Sequence, residues 1–218
     1  MLNEKGHNRL VHTLGGESLL FIVSAPSGAG KTTLCKMAEN MFSGMRHSVS
    51  YTTRPPRDGE ANGADYNFVS PDKFDNMLKK GEFLEWAEVY GYRYGTSVKD
   101  LNSLVANGND VILDIDVQGA KKVKESAIGK ERGVFIFILP PSIEVCEERL
   151  KDRGKDDGET IRKRVEGAKQ EIKESAWYDY IIINENIGAA FEKFKSVIIA
   201  EKTRRERVKD KVKKLFGI

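Results

Sequence analysis

The sequence predicts an α/β fold, a parallel sheet covered by helices on both faces. Three observations predict it. Apolar runs at 18–23, 111–115, 134–139 and 180–183 are too continuous for strands with one wet face, and helical periodicity fills the segments between them. A glycine-rich turn joins the first run to a helical pattern. The chain has 218 residues and 39% apolar content, enough for one large domain with insertions and too much for a disordered chain.

The elements follow in order. Residues 1–16 are polar and include Gly15-Gly16, so they read as a loose extension. Strand 18–23 runs into Ala25-Pro26-Ser27-Gly28-Ala29-Gly30, and Leu34, Met37, Ala38 and Met41 mark the helix after it. Segment 47–96 differs in texture, with Thr, Arg, Gly and Tyr in short alternating pieces. It contains one well-marked helix, with Ser70 as N-cap, Pro71 at the first position, and Phe74, Met77 and Leu78 on one face. A helix over 98–106 leads to strand 111–115, which has acids at its end. Strand 134–139 is next, then a charged stretch over 142–176 that holds Arg149, Arg153, Arg162 and Arg164 around a Gly/Asp-rich turn. After strand 180–183, an amphipathic helix runs from Asn186 through Phe191, Phe194 and Ile198. Its pattern resumes at Val208, Val212, Leu215 and Phe216, which reads as a helix end whose apolar stripe packs on the core.

Composition excludes several classes. The longest apolar run, 134–139, is far short of the ~20 residues a spanning helix needs, so no membrane association is expected. The N-terminus lacks an apolar h-region and does not read as a secretory signal. Cys35 and Cys146 form no CxxC, and with His7, His12 and His47 they offer no metal-site spacing. They read as reduced thiols of a cytoplasmic protein. The net charge of +3 looks mildly basic, but residues 201–218 carry eight Lys/Arg against three acids, leaving −2 for residues 1–200. The basicity belongs to a tail, and no nucleic-acid partner is expected.

Residues 25–32, ending in Gly30-Lys31-Thr32, match a P-loop in every position except the first, where Ala25 stands for Gly. Glycines let successive backbone N–H groups converge on phosphate oxygens at the positive end of the following helix. Lys31 adds a mobile charge for the β/γ-phosphates, and the Thr32 hydroxyl can ligate Mg²⁺. Asp114, at the end of an apolar strand, is the second metal candidate. The chain is therefore expected to have a P-loop NTPase core. Asp116-Val-Gln-Gly119 also fits the DxxG element of GTPases, but no NKxD-like tetrapeptide accompanies it. A kinase needs an acceptor pocket instead, and Arg54 and Arg57, stiffened by Pro55-Pro56, suit bidentate binding of a phosphate.

From about Leu19 to Lys202 the chain resembles the guanylate kinase family. The resemblance is carried by SVSYTTR at 48–54, PRxGExxGxDYxFV at 56–69, EFxEW at 82–86, YGT at 94–96 and ILDIDxQG at 112–119. It implies a nucleoside-monophosphate-binding segment at 51–96 and a lid at 142–176 inserted in a core of 17–50, 97–141 and 177–218. The family-like domain thus spans 17–218. It also implies ATP and GMP or dGMP as substrates, Mg²⁺ with the ATP, and a cytoplasmic enzyme of purine metabolism, and it leaves a homo-oligomer open.

The implied roles can be compared with guanine's chemistry. Guanine offers N1–H and N2 donors that a carboxylate accepts as a fork, the role implied for Glu85. Ser50 and Thr96 would bond other ring edges, and Asp116 would add a contact. The GMP phosphate falls to Arg54, Arg57, Tyr66 and Tyr94. ATP contacts are implied for residues 25–33, that is Ala25, Pro26, Ser27, Gly28, Ala29, Gly30, Lys31, Thr32 and Thr33, with Asn184 near the adenine. The RLxxRG…IxxR pattern makes Arg153 and Arg164 the lid arginines on the transferring phosphoryl group, alongside Lys31 and Arg54. The sequence is also compatible with two other readings: a catalytically silent binding module of the same fold, and a kinase of a phosphorylated sugar.

Overall fold

The computed structural model describes residues 18–152 and 158–217. It is an α/β fold with two sheets. The larger has strand order β2-β7-β1-β8-β9, from β1 (Leu20–Ser24), β2 (Met45–His47), β7 (Asp110–Asp114), β8 (Gly133–Leu139) and β9 (Tyr180–Ile183). The pairs β2–β7 and β8–β9 are parallel, with Arg46 opposite Val111 and Phe137 opposite Ile181. Every residue of β1 is buried, as expected of a strand covered on both faces. The smaller sheet has order β4-β3-β6-β5, from β3 (Tyr51–Thr52), β4 (Asn67–Phe68), β5 (Phe83–Val89) and β6 (Tyr92–Ser97).

The helices are α1 (Lys31–Met41), α2 (Pro71–Lys79), α3 (Val98–Ala106), α4 (Val117–Glu125), α5 (Ala127–Arg132), α6 (Ile143–Asp152), α7 (Gly158–Lys173), α8 (Ile187–Thr203) and α9 (Arg205–Phe216), with a 3₁₀ turn at Glu174–Trp177. Their starts follow the local chemistry. Ser70, Ser97, Asp116, Ser126 and Asn186 each accept a backbone N–H of the first turn they precede, which satisfies donors that would otherwise be orphaned.

The chain divides into two compact units, 18–22 with 44–133, and 23–43 with 134–217. In the first, β2 and β7 contribute Met45, Val111, Ile112 and Leu113 to a core, while Phe74, Met77 and Phe83 form a second cluster under the smaller sheet. Asp110 is buried, and its carboxylate accepts the Leu19 N–H at 2.8 Å. The strand therefore begins one residue earlier than the apolar run. The hairpin between β5 and β6 turns on Tyr90 and Gly91, both at positive φ (51° and 79°). That is the geometry whose twist matches the flanking strands.

In the second unit, Val134, Phe135, Ile136, Phe137 and Ile138 of β8 are buried, as are Phe191, Phe194 and Ile198 of α8. Cys146 and Leu150 of α6 pack with Ile161 and Ala168 of α7. The terminal pattern is not one helix. It breaks at Arg204, and Leu215 and Phe216 of α9 are 64% and 71% exposed instead of packing on the core. Among the described residues, no helix is long and apolar enough to cross a membrane.

Candidate active site

In the second unit, the phosphate loop sits between β1 and α1. Gly28 and Gly30 take φ of 88° and 90°, a region that L side chains rarely adopt. The surroundings exclude side chains there as well. A Cβ at position 28 would stand 3.1 Å from the Cys146 carbonyl oxygen, and one at position 30 would overlap Asn184 Nδ2. α1 starts on Gly30 without a side-chain cap, and its first turn has no acidic residue. The dipole's positive end is thus left for an anion.

Lys31 is half-buried, and Thr32 and Thr33 are exposed on that first turn. Ala25 and Ser27 are half-buried, whereas Pro26 and Ala29 are buried. Two side chains hold the loop backbone. The Cys146 thiol donates to the Ser27 carbonyl at 2.7 Å, and Asn184 Nδ2 donates to the Ala29 carbonyl at 2.7 Å. Beside it, Gly28, Gly30, Thr33, Arg149 and Asn184 line a cavity of about 490 Å³. Arg149 is not among the residues expected from the sequence, yet its Nη2 donates to the Asn184 carbonyl at 3.3 Å. Arg164 lies half-buried on α7, and Arg153 lies outside the described residues.

In the first unit, the residues that the sequence resemblance points to for the acceptor form two groups. Arg54 is 7% exposed, and its guanidinium lies over the Tyr66 and Phe68 rings at 5.3 and 5.7 Å. The Tyr66 and Tyr94 rings meet edge to face at 5.8 Å. Glu60 ties the two arginines together. It accepts Arg54 Nη2 at 2.8 and 2.9 Å and the Arg57 backbone N–H at 2.7 Å. The Arg57 side chain stays exposed. Glu60 is partly desolvated, which alone would raise its pKa, but the Arg57 N–H and the Arg54 guanidinium outweigh this and hold it below the ordinary carboxylate value. Glu60 was absent from the expected set, although its place in the PRxGE run next to two arginines was a usable signal.

The second group surrounds Glu85. Alternation along β5 sends Phe83, Glu85 and Ala87 to one buried face, so a carboxylate occupies a position whose pattern is apolar. Glu85 is 5% exposed, and Thr96 Oγ1 donates to its Oε1 at 2.6 Å. Burial pushes its pKa up to about 7, and nearby Asp116 adds to this, while the Thr96 hydrogen bond and Lys122 oppose it. Lys122 donates to the Trp86 carbonyl with its ammonium 4.7 Å from the Trp86 ring centre.

Asp116 is engaged in holding α4. Its Oδ1 accepts the Gly119 N–H at 2.9 Å and its Oδ2 accepts Gln118 Nε2 at 3.2 Å. Ser50 is buried in the same unit, with its carbonyl accepting the Asn67 N–H at 2.8 Å. Asp114, the other metal candidate, is half-buried at the end of β7.

One unit carries a phosphate loop and the other a buried carboxylate. The guanylate kinase family model matches residues 17–201. Guanylate kinase of Geobacter metallireducens is 53% identical over 202 residues, covering 93% of this chain and 98% of that protein. Guanylate kinase of Geobacter sulfurreducens is 54% identical with the same coverage of 93% and 98%. Among solved structures, guanylate kinase from Anaplasma phagocytophilum superposes with a TM-score of 0.71 at 34% identity, covering 92% of this chain and 96% of that one. With the match running through every motif that builds the two sites, the chain belongs to the guanylate kinase family.

Proposed function

We propose that this chain transfers the terminal phosphoryl group of ATP to GMP, and to dGMP, giving ADP and the guanosine diphosphate. The observation that carries the guanine assignment is Glu85, a buried carboxylate in a half-apolar strand that accepts from the hydroxyl and the backbone N–H of Thr96. A desolvated acceptor of that kind is costly unless a ligand supplies donors. Guanine's N1–H and N2 amine do so, whereas adenine presents a bare N1 and would leave the carboxylate unpaired. Ser50, Thr96 and Asp116 are assigned to the remaining base edges. Arg54, Arg57, Tyr66 and Tyr94 are assigned to the acceptor phosphate.

The acceptor phosphate has a second pKa near 6, so it is already largely dianionic at neutral pH and needs no general base. The work is electrostatic: two polyanions must approach while charge builds on the transferring group. The loop from Ala25 to Thr33 cradles the donor phosphates, Lys31 neutralises the β/γ oxygens, and Arg54, Arg153 and Arg164 are assigned to the charge of the transferring group. The segment 51–96 takes the acceptor, and 142–176 serves as the lid that excludes water.

Among the described residues, no three His, Cys, Asp or Glu side chains cluster as a ready-made cation cage. The hard oxygens of Thr32 and Asp114 suit a Mg²⁺ that arrives on ATP and keeps most of its ligands from phosphate and water. Bound there, Mg²⁺ would neutralise phosphate charge, with Thr32 and Asp114 holding it or its waters. The reaction assigns the chain to a cytoplasmic purine-nucleotide pathway.

The test is ADP release measured with GMP, dGMP, AMP, UMP and a sugar phosphate as acceptors. GMP and dGMP should turn over, with AMP slower by roughly 10⁴-fold. Comparable turnover of AMP or of the sugar phosphate overturns the assignment. GMP binding without any ADP release would identify a silent binding module.

A further inference from the structure

Asn184 occupies a family position expected near the adenine, but its side chain is committed elsewhere. Asn184 is 3% exposed at the end of β9, and its Nδ2 donates to the Ala29 carbonyl at 2.7 Å, across 155 positions of sequence. Only the amide nitrogen can face that carbonyl, because two acceptors would repel, so the orientation of the amide is set by the loop. The other half of the amide, Oδ1, is buried and has no hydrogen-bond partner among the described residues. The bond to Ala29 is thus what fixes the side chain.

The fit to the loop is equally close. Gly30 has φ of 90°, and a Cβ there would overlap Asn184 Nδ2 and lie 4.0 Å from Ile187 Cδ1. The backbone of Asn184 is itself pinned. Its N–H donates to the Leu139 carbonyl at 2.8 Å, and its own carbonyl accepts Arg149 Nη2 at 3.3 Å. The amide therefore reaches the loop from a fixed strand end and holds the Ala29-Gly30 backbone at its carbonyl.

We propose that Asn184 is a positioning residue for the phosphate loop: it fixes the Ala29–Gly30 peptide so that the loop N–H groups are preorganised for polyphosphate, whatever base that polyphosphate carries. This rests on the phosphate-loop reading above. It differs from a base contact in one measurable respect, since a loop-positioning residue must matter to a ligand with no adenine. Preorganisation lost from the free protein is recovered only at the expense of binding.

The experiment uses the full chain and two neutral variants, Asn184→Leu, which keeps the branched shape without the donor, and Asn184→Ala, which keeps the measurement possible if leucine prevents folding. Calorimetric titrations with inorganic tripolyphosphate, ATP and GMP are compared, with thermal unfolding as the fold control. Tripolyphosphate and ATP should weaken by the same factor, roughly tenfold for one buried hydrogen bond and its stranded carbonyl, while GMP affinity stays within twofold. Weakening of ATP with tripolyphosphate unchanged makes Asn184 an adenine contact and overturns the proposal, as does no weakening of either ligand. Equal weakening of GMP would show a general loss of structure and also overturns it. Tripolyphosphate and ATP that fail to bind the unaltered chain sink the phosphate-loop reading itself, whereas a normal unaltered chain with unaffected variants sinks only the role of Asn184.

Discussion

Glu85 rests its carboxylate directly against the α-carbon of Gly119: a Cβ at position 119 would overlap Oε2 and stand 3.0 Å from the carboxyl carbon. Asp116 Oδ1, which caps the same helix, would lie 3.2 Å from that Cβ. The glycine is what lets a helix start and a buried carboxylate share one space.

Gly119→Ala separates two opposing effects. Alanine inside a helix is favoured over glycine by about 1 kcal/mol. Displacing a packed carboxylate costs about 1–3 kcal/mol and falls on the base site. The expected outcome is a KM for GMP raised roughly tenfold, a KM for ATP within twofold, and a melting temperature little changed. Steady-state kinetics with each substrate varied in turn measure this. Equal KM values for wild type and variant would remove Glu85's position from the determinants of GMP binding.

With Glu85 in the guanine-reading role proposed above, its raised pKa predicts pH dependence of both stability and GMP binding, with opposite signs. In the unfolded chain the carboxyl ionises near 4.5, and in the folded chain near 7. Between those values the folded state holds the extra proton. The stabilisation is therefore complete below pH 4.5 and is lost as pH rises through 7, by an amount on the order of 3 kcal/mol. GMP needs the ionised form to accept its two donors, so its affinity should increase from pH 6 to 8 where stability declines. Glu85→Gln should raise the melting temperature at pH 8 relative to wild type, leave it similar at pH 5, and weaken GMP at both. A variant less stable than wild type at pH 8 contradicts this account.

These relationships divide by sequence distance. The phosphate loop, the Ser70-Pro71 helix start and the apolar strands were legible because their causes are local: glycine φ, side-chain caps and uninterrupted burial. The approach of Gly119 to Glu85 and of Asn184 to Ala29 spans 34 and 155 positions, and no local rule carries such a pairing. Tyr90 takes a positive φ that favours Gly or Asn, so the hairpin it helps to make was hidden by its own residue type. The stripe Val208, Val212, Leu215, Phe216 has the periodicity of a core-packing helix, but periodicity says nothing of whether a partner surface exists. Leu215 and Phe216 are in fact exposed.

Glu60 should set the strength of the acceptor-phosphate site. Its carboxylate holds Arg54 Nη2 and the Arg57 N–H at once, so removing the charge releases the buried guanidinium and the backbone between Arg54 and Arg57. Glu60→Gln keeps the size but cannot make the ion pair at 2.8 Å. The KM for GMP should rise roughly tenfold, with the KM for ATP unchanged, because losing one partner of a buried pair strands the other. Guanosine, which lacks the phosphate, should bind both forms equally in a titration. A selective loss for guanosine would place Glu60 with the base instead.

Removing α9 by ending the chain after Arg204 should leave catalysis intact. Among the described residues, none of its side chains is fully buried, and the family match closes at residue 201. The anchor that finishes α8 survives the cut. Glu201 is buried, accepts the Tyr180 hydroxyl, and pairs with Arg204 Nη2 at 2.8 Å. The deletion removes six cations and two acids, moving the net charge from +3 to −1. Its half-buried contacts are few and none of its side chains is buried, so the melting temperature should move by no more than about 4 °C, the shift that about 1 kcal/mol produces in a chain of this size. GMP-dependent ADP release should keep its kcat/KM within twofold at low and at moderate salt. A large loss that added salt reproduces in the full-length chain would instead show that the basic helix draws the two anionic substrates to the site. A large loss indifferent to salt would show that Val208 and Val212, which are half-buried, pack where the fold needs them.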